Sequence, residues 1–100
     1  MSTVTAHRPI ASPLTAKVTP TVPAGPVPAG QQEYRLEIVT DPDPDYPAAI
    51  VWYRASGIAA ALSQARRLLA AHDGPDDQYG ELYQRNGELA DYLTTLHQGA

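Results

Sequence analysis

A histidine beside three carboxylates is the first group in this sequence that could do chemistry: His72, Asp73, Asp76 and Asp77. Such a group could bind a metal ion weakly or supply a general base. No serine or threonine is placed to act as its nucleophile, and no glycine-rich loop offers a phosphate or oxyanion cradle. The pattern is more typical of a histidine at a helix end, where its charge interacts favourably with the helix dipole. The sequence therefore predicts no catalytic residue here.

Three aspartates that alternate with prolines form the second candidate: Asp41, Asp43 and Asp45. Alternate carboxylates can converge on calcium, because this ion prefers several oxygen ligands. The EF-hand pattern then requires glycine at its sixth position and glutamate at its twelfth, where this chain has Tyr46 and Trp52. We expect a solvated acidic loop, so neither a metal nor a cofactor is predicted.

Aromatic residues beside an arginine form the third candidate: Tyr34 and the run Trp52, Tyr53, Arg54. Single-stranded nucleic acid stacks on such rings, but it also needs a positive groove for its phosphates. Residues 33–100 contain all eleven carboxylates and only five of the seven basic side chains. The charge therefore argues against nucleic-acid binding, and these rings are predicted to pack in a core or a protein interface.

The acidity itself leaves a second function open. A small acidic domain could occupy the nucleic-acid groove of another protein if its carboxylates were spaced like phosphates. The residues available for such mimicry are Asp41, Asp43, Asp45, Asp73, Asp76, Asp77, Glu81, Glu88 and Asp91. Charge that maintains solubility is the simpler interpretation.

The first thirty-two residues differ from the rest in composition. They contain six of the ten prolines, two charged side chains and no Phe, Trp or Tyr. Such a segment buries too little apolar surface to offset the entropy lost on ordering, so residues 1–32 are predicted to be a disordered Pro/Ala/Thr-rich tail. Pro20, Pro23 and Pro26 recur at every third position, which is typical of a polyproline II spacer. Residues 33–100 are predicted to form one folded domain.

Composition also restricts location and origin. The chain contains no cysteine, so it has neither a disulfide framework nor a thiolate nucleophile. No apolar run approaches the roughly 18 residues of a membrane span, and prolines interrupt the N-terminus where a secretory signal needs a continuous apolar core. We therefore expect a cytoplasmic protein without membrane contact. The preference for arginine over lysine, with abundant alanine and proline, indicates a GC-rich bacterial or phage genome.

Two strands are predicted from hydrophobic periodicity. Residues 33–40 alternate strictly, with Tyr34, Leu36 and Ile38 on one face, as in a half-buried strand. Residues 48–54 form an apolar run rich in β-branched and aromatic side chains. This run is predicted to be a second strand, antiparallel to the first.

One amphipathic helix is predicted between Ser56 and Gly74. Its apolar positions recur at helical spacing. They are Ile58, Ala61, Leu62, Ala65, Leu68, Leu69 and His72. Ser56 could cap the first turn, and Gly74 followed by Pro75 would end the helix.

The last segment has two interpretations. Asn86-Gly87 is a preferred pair for a two-residue hairpin turn, and it would place Arg85 opposite Glu88. Apolar residues after Gly87 also lie at helical spacing, which would make the segment a helix. We favour the hairpin, which gives an α+β domain of order ββαββ: one antiparallel or mixed sheet with a single helix packed on one face. The alternative order is ββαβα.

The second strand is apolar on both sides, since Ile50 and Trp52 alternate with Val51 and Tyr53. One helix covers one face of the sheet, so part of this strand is expected on the uncovered face. A patch of this kind is typical of protein–protein surfaces. The predicted interface consists of Val39, Val51 and Tyr53, rimmed by Arg35 and Glu37.

These observations favour a small non-enzymatic interaction or accessory module. We expect it to self-associate through the sheet as a homodimer, or to dock on a partner protein. The alternative is an acidic inhibitor or nucleic-acid mimic that acts on a nucleic-acid-binding protein. A metal-dependent enzyme has the least support.

Overall fold

The fold is one antiparallel sheet with a helix on one face. A computed structural model describes residues 20–40, 47–75 and 77–98 and the backbone of residues 7–9. The elements are β1 (His7–Pro9), β2 (Gln32–Val39), β3 (Ala49–Ala55), α1 (Ile58–Ala71), β4 (Tyr79–Asn86) and β5 (Leu89–His97). The four longer strands and α1 follow the predicted order ββαββ, which confirms the α+β class.

The sheet has the strand order β1-β5-β4-β2-β3, and every neighbouring pair is antiparallel. Leu36 of β2 lies at the centre, opposite Val51 on β3 and Leu82 on β4. Directly opposite residues share a face of the sheet, because side chains alternate along each strand with a period of two. The central register therefore places three apolar side chains together.

The core lies between the sheet and α1. The predicted apolar face of the first strand, Tyr34, Leu36 and Ile38, is at most 1% exposed and belongs to this core. Ala61 and Ala65 are fully buried beneath these strands, and their small side chains let the helix approach the sheet closely. The prediction of a helix packed on one face is confirmed.

The helix ends differ from those predicted. α1 begins after Gly57, whose backbone is extended at φ 175°, and Ser56 makes no capping hydrogen bond. Ile58 is 51% exposed, although its spacing placed it on the predicted apolar face of the helix. The helix ends at Ala71, and the C-cap residue His72 donates its backbone N–H to the carbonyl oxygens of Leu68 and Leu69. The prediction that Ser56 caps the helix is therefore wrong. Among the described residues, no helix is long and apolar enough to cross a membrane.

A hairpin joins β4 and β5, so the helical alternative for this segment is wrong. Asn86 pairs with Leu89, and the two-residue loop is Gly87-Glu88 rather than Asn86-Gly87. Gly87 has φ 63°, a left-handed conformation that glycine adopts without a Cβ clash. Glycine therefore occupies the first position of the loop.

The observed register has a packing reason. Arg85, predicted to face Glu88, lies opposite Ala90. The same register sets Tyr83 opposite Tyr92, with ring centroids 5.9 Å apart in an edge-to-face arrangement. Aromatic cross-strand pairs stabilise a hairpin, so this pairing favours the observed register.

Parts of the predicted tail contact the sheet. β1 pairs with β5 over three residues, and Thr21 forms a single parallel bridge with Val51 of β3. These contacts lie at opposite edges of the sheet. Residues 1–6 and 10–19 lie outside the described residues, so disorder of the tail as a whole remains a prediction.

Candidate interaction surfaces

The sheet face turned away from α1 is called here the second face. It carries the side chains that alternate with the core residues. They include Glu33, Arg35, Glu37 and Val39 on β2, Ile50, Trp52 and Arg54 on β3, Glu81, Tyr83 and Arg85 on β4, and Ala90 and Tyr92 on β5. The second face thus combines aromatic rings, arginines and carboxylates.

A row of stacked side chains crosses the second face. Arg35 lies opposite both Trp52 and Tyr83, and its Cζ atom is 5.4 Å and 4.7 Å from their respective ring centroids. Tyr92 extends the row through its edge-to-face contact with Tyr83. A guanidinium over a ring is attracted by the ring's negative face, and the attraction grows when water is excluded. The row links four strands of the sheet.

Ion pairs within the chain neutralise the charges of the second face. Glu33 accepts from Arg85 at 3.0 Å and lies 3.5 Å from Arg54, and the Glu37 carboxylate is 2.9 Å from the Arg35 guanidinium. The side chains of Glu33, Arg35 and Glu37 are at most 8% exposed. Buried charges need such partners because removal from water is costly. Glu33 and Glu37 therefore each have an arginine partner inside one molecule.

The five residues of the predicted interface lie on two different faces. Val51 and Tyr53 pack in the core beside α1, since they lie opposite Leu36 and Tyr34. Val39, Arg35 and Glu37 lie on the second face and are at most 5% exposed. The sequence could not assign the faces of β3, because this strand is apolar on both sides and only the pairing with β2 decides. The five residues do not form one surface.

Tyr34 and Tyr53 stack in the core rather than offering a platform for bases. Their ring centroids are 6.1 Å apart, and the Tyr53 hydroxyl donates to the carbonyl oxygen of Ala61 at 2.6 Å. Burial, with a contribution from the neighbouring Tyr34, raises the pKa of Tyr53 well above its usual value, and burial also raises the pKa of Tyr34. Both phenols remain neutral over the ordinary pH range. Trp52 and Arg54 lie on the opposite face.

His72 has a structural partner that sequence reasoning missed. Its Nδ1 atom lies 3.1 Å from Oε1 of Gln78, and Nε2 of Gln78 donates to the His72 carbonyl oxygen at 2.9 Å. Gln78 is 1% exposed, and its amide sits so close to Gly74 that a Cβ there would overlap Oε1. Within the described residues, no three histidine or carboxylate side chains lie close enough to hold a metal ion. This group ties the end of α1 to the start of β4.

The acidic residues are distributed over the molecule. Asp41, Asp43, Asp45 and Asp76 lie outside the described residues. Of the others, Asp77 precedes β4 and Glu88 follows it, so that these two carboxylates are separated by the whole eight-residue strand. At about 3.3 Å per residue that strand spans about 25 Å. Asp77 and Glu88 therefore lie at opposite ends of β4.

An extended segment, residues 20–27, docks at the outer edge of β3 and is called here the arm. The Thr21 N–H donates to the Ile50 carbonyl at 3.0 Å, and the Trp52 N–H donates to the Thr21 carbonyl at 2.8 Å. The Arg54 guanidinium donates to the carbonyl oxygens of Ala24, at 3.1 Å, and Gly25. The arm therefore binds mainly through its backbone.

The arm buries little of its apolar side chains. Val22 is 59% exposed and Val27 is 40% exposed, although valine side chains are usually buried in folded proteins. A turn closed by the Gln31 N–H and the Pro28 carbonyl, 3.1 Å apart, then leads into β2. Gly30 in this turn has φ 79°. Few apolar contacts thus hold the arm on the edge.

Comparison with known proteins identifies no relative. No protein-family model matches the chain, and neither a curated protein nor a solved structure matches it. The function is therefore inferred from the contacts described above.

Proposed function

We propose that this protein is a small non-enzymatic interaction module that self-associates through its sheet, at the β3 edge. The observation that carries the proposal is that the outer edge of β3 is only partly paired. Among the described residues, a single residue of the arm, Thr21, pairs with β3. An edge strand offers N–H and C=O groups to any other extended chain, and a short cover leaves most of that capacity available.

The edge supports assembly better than the second face does. At the centre of the second face Trp52, Arg35 and Tyr83 are at most 7% exposed, so a second copy cannot reach them without rearrangement. The charge of Arg35 is also paired with Glu37 within the chain. The arm, in contrast, carries two exposed apolar side chains, Val22 and Val27. Apolar side chains next to an incompletely covered strand are a typical association surface.

The size of the domain is consistent with assembly. The predicted folded part is 68 residues long, and below about 70–80 residues a single core supplies only about 3–5 kcal/mol. Self-association adds buried surface to such a domain. A homodimer is the simplest assembly, because one surface then serves both copies.

Light scattering over a concentration series from micromolar to millimolar tests the proposal. We expect the wild-type mass to rise toward that of two chains. Ile50→Lys should shift the series toward the monomer, because Ile50 lies on the edge strand and its carbonyl accepts from the arm, and lysine on an edge hinders pairing. Ile58→Lys is the matched control, since Ile58 is exposed on α1.

Circular dichroism must show that both variants remain folded. A wild-type protein that stays monomeric over the whole series would refute the proposal. Equal effects of the two lysine substitutions would also contradict it, because they would show that the β3 edge has no special role.

A further inference from the structure

We propose that two copies associate by exchanging their arms, so that residues 20–27 of each copy dock on β3 of the other. This inference rests on the proposed self-association and names its mode and its partner, a second copy of this chain. The arm is a ligand that the β3 edge already binds within one molecule. The same contacts can form between molecules without any new complementarity.

The contacts that would be exchanged are local and polar. They are the bridge between Thr21 and Val51 and the bonds from Arg54 to the carbonyls of Ala24 and Gly25. All of these contacts are between the arm and β3, and none of them involves the turn that follows the arm. β1 lies N-terminal to the arm and pairs with β5, so it is exchanged together with the arm. Exchange then preserves all of these bonds and changes only the path of the chain between Gly25 and β2.

The turn at residues 28–31 is the natural hinge. It lies between the last contact with Arg54 and the first residue of β2, and one hydrogen bond, from Gln31 to Pro28, closes it. Gly30 occupies its third position with φ 79°, the position of a type II turn that requires a positive φ. Opening this turn sends the arm away from its own β3 toward another molecule.

Concentration sets the balance between the two arrangements. Within one chain the arm has an effective concentration in the millimolar range, as expected for a short linker. Exchange with conserved contacts therefore becomes populated near that range, unless the closed turn is strained. A substitution that strains the turn raises the dimer population, because the opened hinge is free to adopt another φ.

Two matched glycine substitutions test the hinge in the full-length chain. Gly30 and Gly25 both have φ 79°, and at both positions an added Cβ would meet open space, but only Gly30 lies in the hinge. Gly30→Val should raise the dimerisation constant roughly tenfold or more, since each dimer relieves strain in two hinges. Gly25→Val should not raise this constant, because the docked arm is strained in both arrangements.

Single cysteines test the exchange directly, since the chain has none of its own. Neighbouring strands lie about 4.8 Å apart, within the Cα range of a disulfide, so bridge partners can be linked. Copies with Thr21→Cys are mixed with copies carrying Val51→Cys at millimolar concentration and oxidised. We expect a disulfide-linked pair of chains on a non-reducing gel. As a control, copies with Val22→Cys are mixed with copies carrying Val51→Cys. Val22 is exposed and next to the bridge residue Thr21, and this mixture should give much less of the disulfide-linked pair.

The outcomes separate the two proposals. A mass that rises with concentration, without the cross-linked pair and with equal effects of the two valine substitutions, would overturn arm exchange while self-association stands. A mass that never rises would refute both. A chain carrying both cysteines should form the bond internally at low concentration, and failure to do so in a folded chain would overturn the docking of the arm itself.

Discussion

The tie between the end of α1 and the start of β4 gives the sharpest prediction of stability. Gly74→Ala would place a Cβ far inside contact distance of Oε1 of Gln78. The backbone at Gly74 does not require a positive φ, so the clash and not the conformation decides the effect. The Gln78 amide must move, and it then gives up its two bonds to His72, at 2.9 Å and 3.1 Å.

The magnitude follows from these two bonds. Loss of partners for a buried amide costs about 1–3 kcal/mol. Alanine also restricts the unfolded chain relative to glycine, which stabilises by about 0.4–1 kcal/mol where the conformation is compatible. We expect Gly74→Ala to lower the free energy of unfolding by about 1–2 kcal/mol net. For a domain of this size the melting temperature should fall by roughly 5–15 °C.

A double-mutant cycle measured by thermal and denaturant unfolding separates the clash from other causes. With Gln78→Ala already present, Gly74→Ala has no amide to displace and should be neutral or slightly stabilising. Gly57→Ala is the control in the wild-type chain, because nothing lies within 4 Å of a Cβ there. The reasoning fails if Gly74→Ala is as mild as Gly57→Ala, or as damaging without Gln78 as with it.

Two further predictions concern the core beneath α1. Leu69 is 3% exposed, so Leu69→Ala should lower the free energy of unfolding, measured with denaturant, by about 2–5 kcal/mol. Leu62 is only partly buried, so Leu62→Ala should lower it clearly less, and equal losses would contradict the packing. Burial raises the folded-state pKa of Tyr53 above the unfolded value of about 10, so the stabilisation is present below that pH and is lost as pH rises through it. Tyr53→Phe should therefore weaken the protein at neutral pH, through the loss of the hydroxyl bond to Ala61, yet reduce the loss of stability above a pH of about 10. An unchanged alkaline slope in this variant would be the contrary result.

Local patterns were enough to predict α1 and the four longer strands, but not β1. The alternation around Leu36 indicated which face of β2 is buried, and the helical period indicated α1. Turn chemistry favoured the hairpin over the helix, and β4 and β5 confirm this choice. The register of the hairpin differed from the predicted one. The cross-strand contact between Tyr83 and Tyr92 favours the observed register, and turn preference alone does not predict such a contact.

The faces of the sheet could not be predicted in the same way. β3 is apolar on both sides, so its orientation depends on its register with β2, and this register places Val51 and Tyr53 in the core. Glu33, Arg35 and Glu37 alternate with apolar residues, which is the usual pattern of a solvated face. Periodicity does not distinguish charges that face water from charges that neutralise one another, as Arg35 and Glu37 do.

The arm shows why composition is a poor guide to this particular contact. Prediction of disorder from composition asks whether side chains bury enough apolar area to offset the entropy of ordering. In the arm, backbone hydrogen bonds offset the entropy lost on ordering. The Thr21 backbone both donates to and accepts from β3, and the carbonyl oxygens of Ala24 and Gly25 accept from Arg54. Such contacts need an extended backbone and depend little on which side chains the arm carries. A segment held in this way is ordered by the edge on which it lies, and any equivalent edge on a second copy can order it equally well.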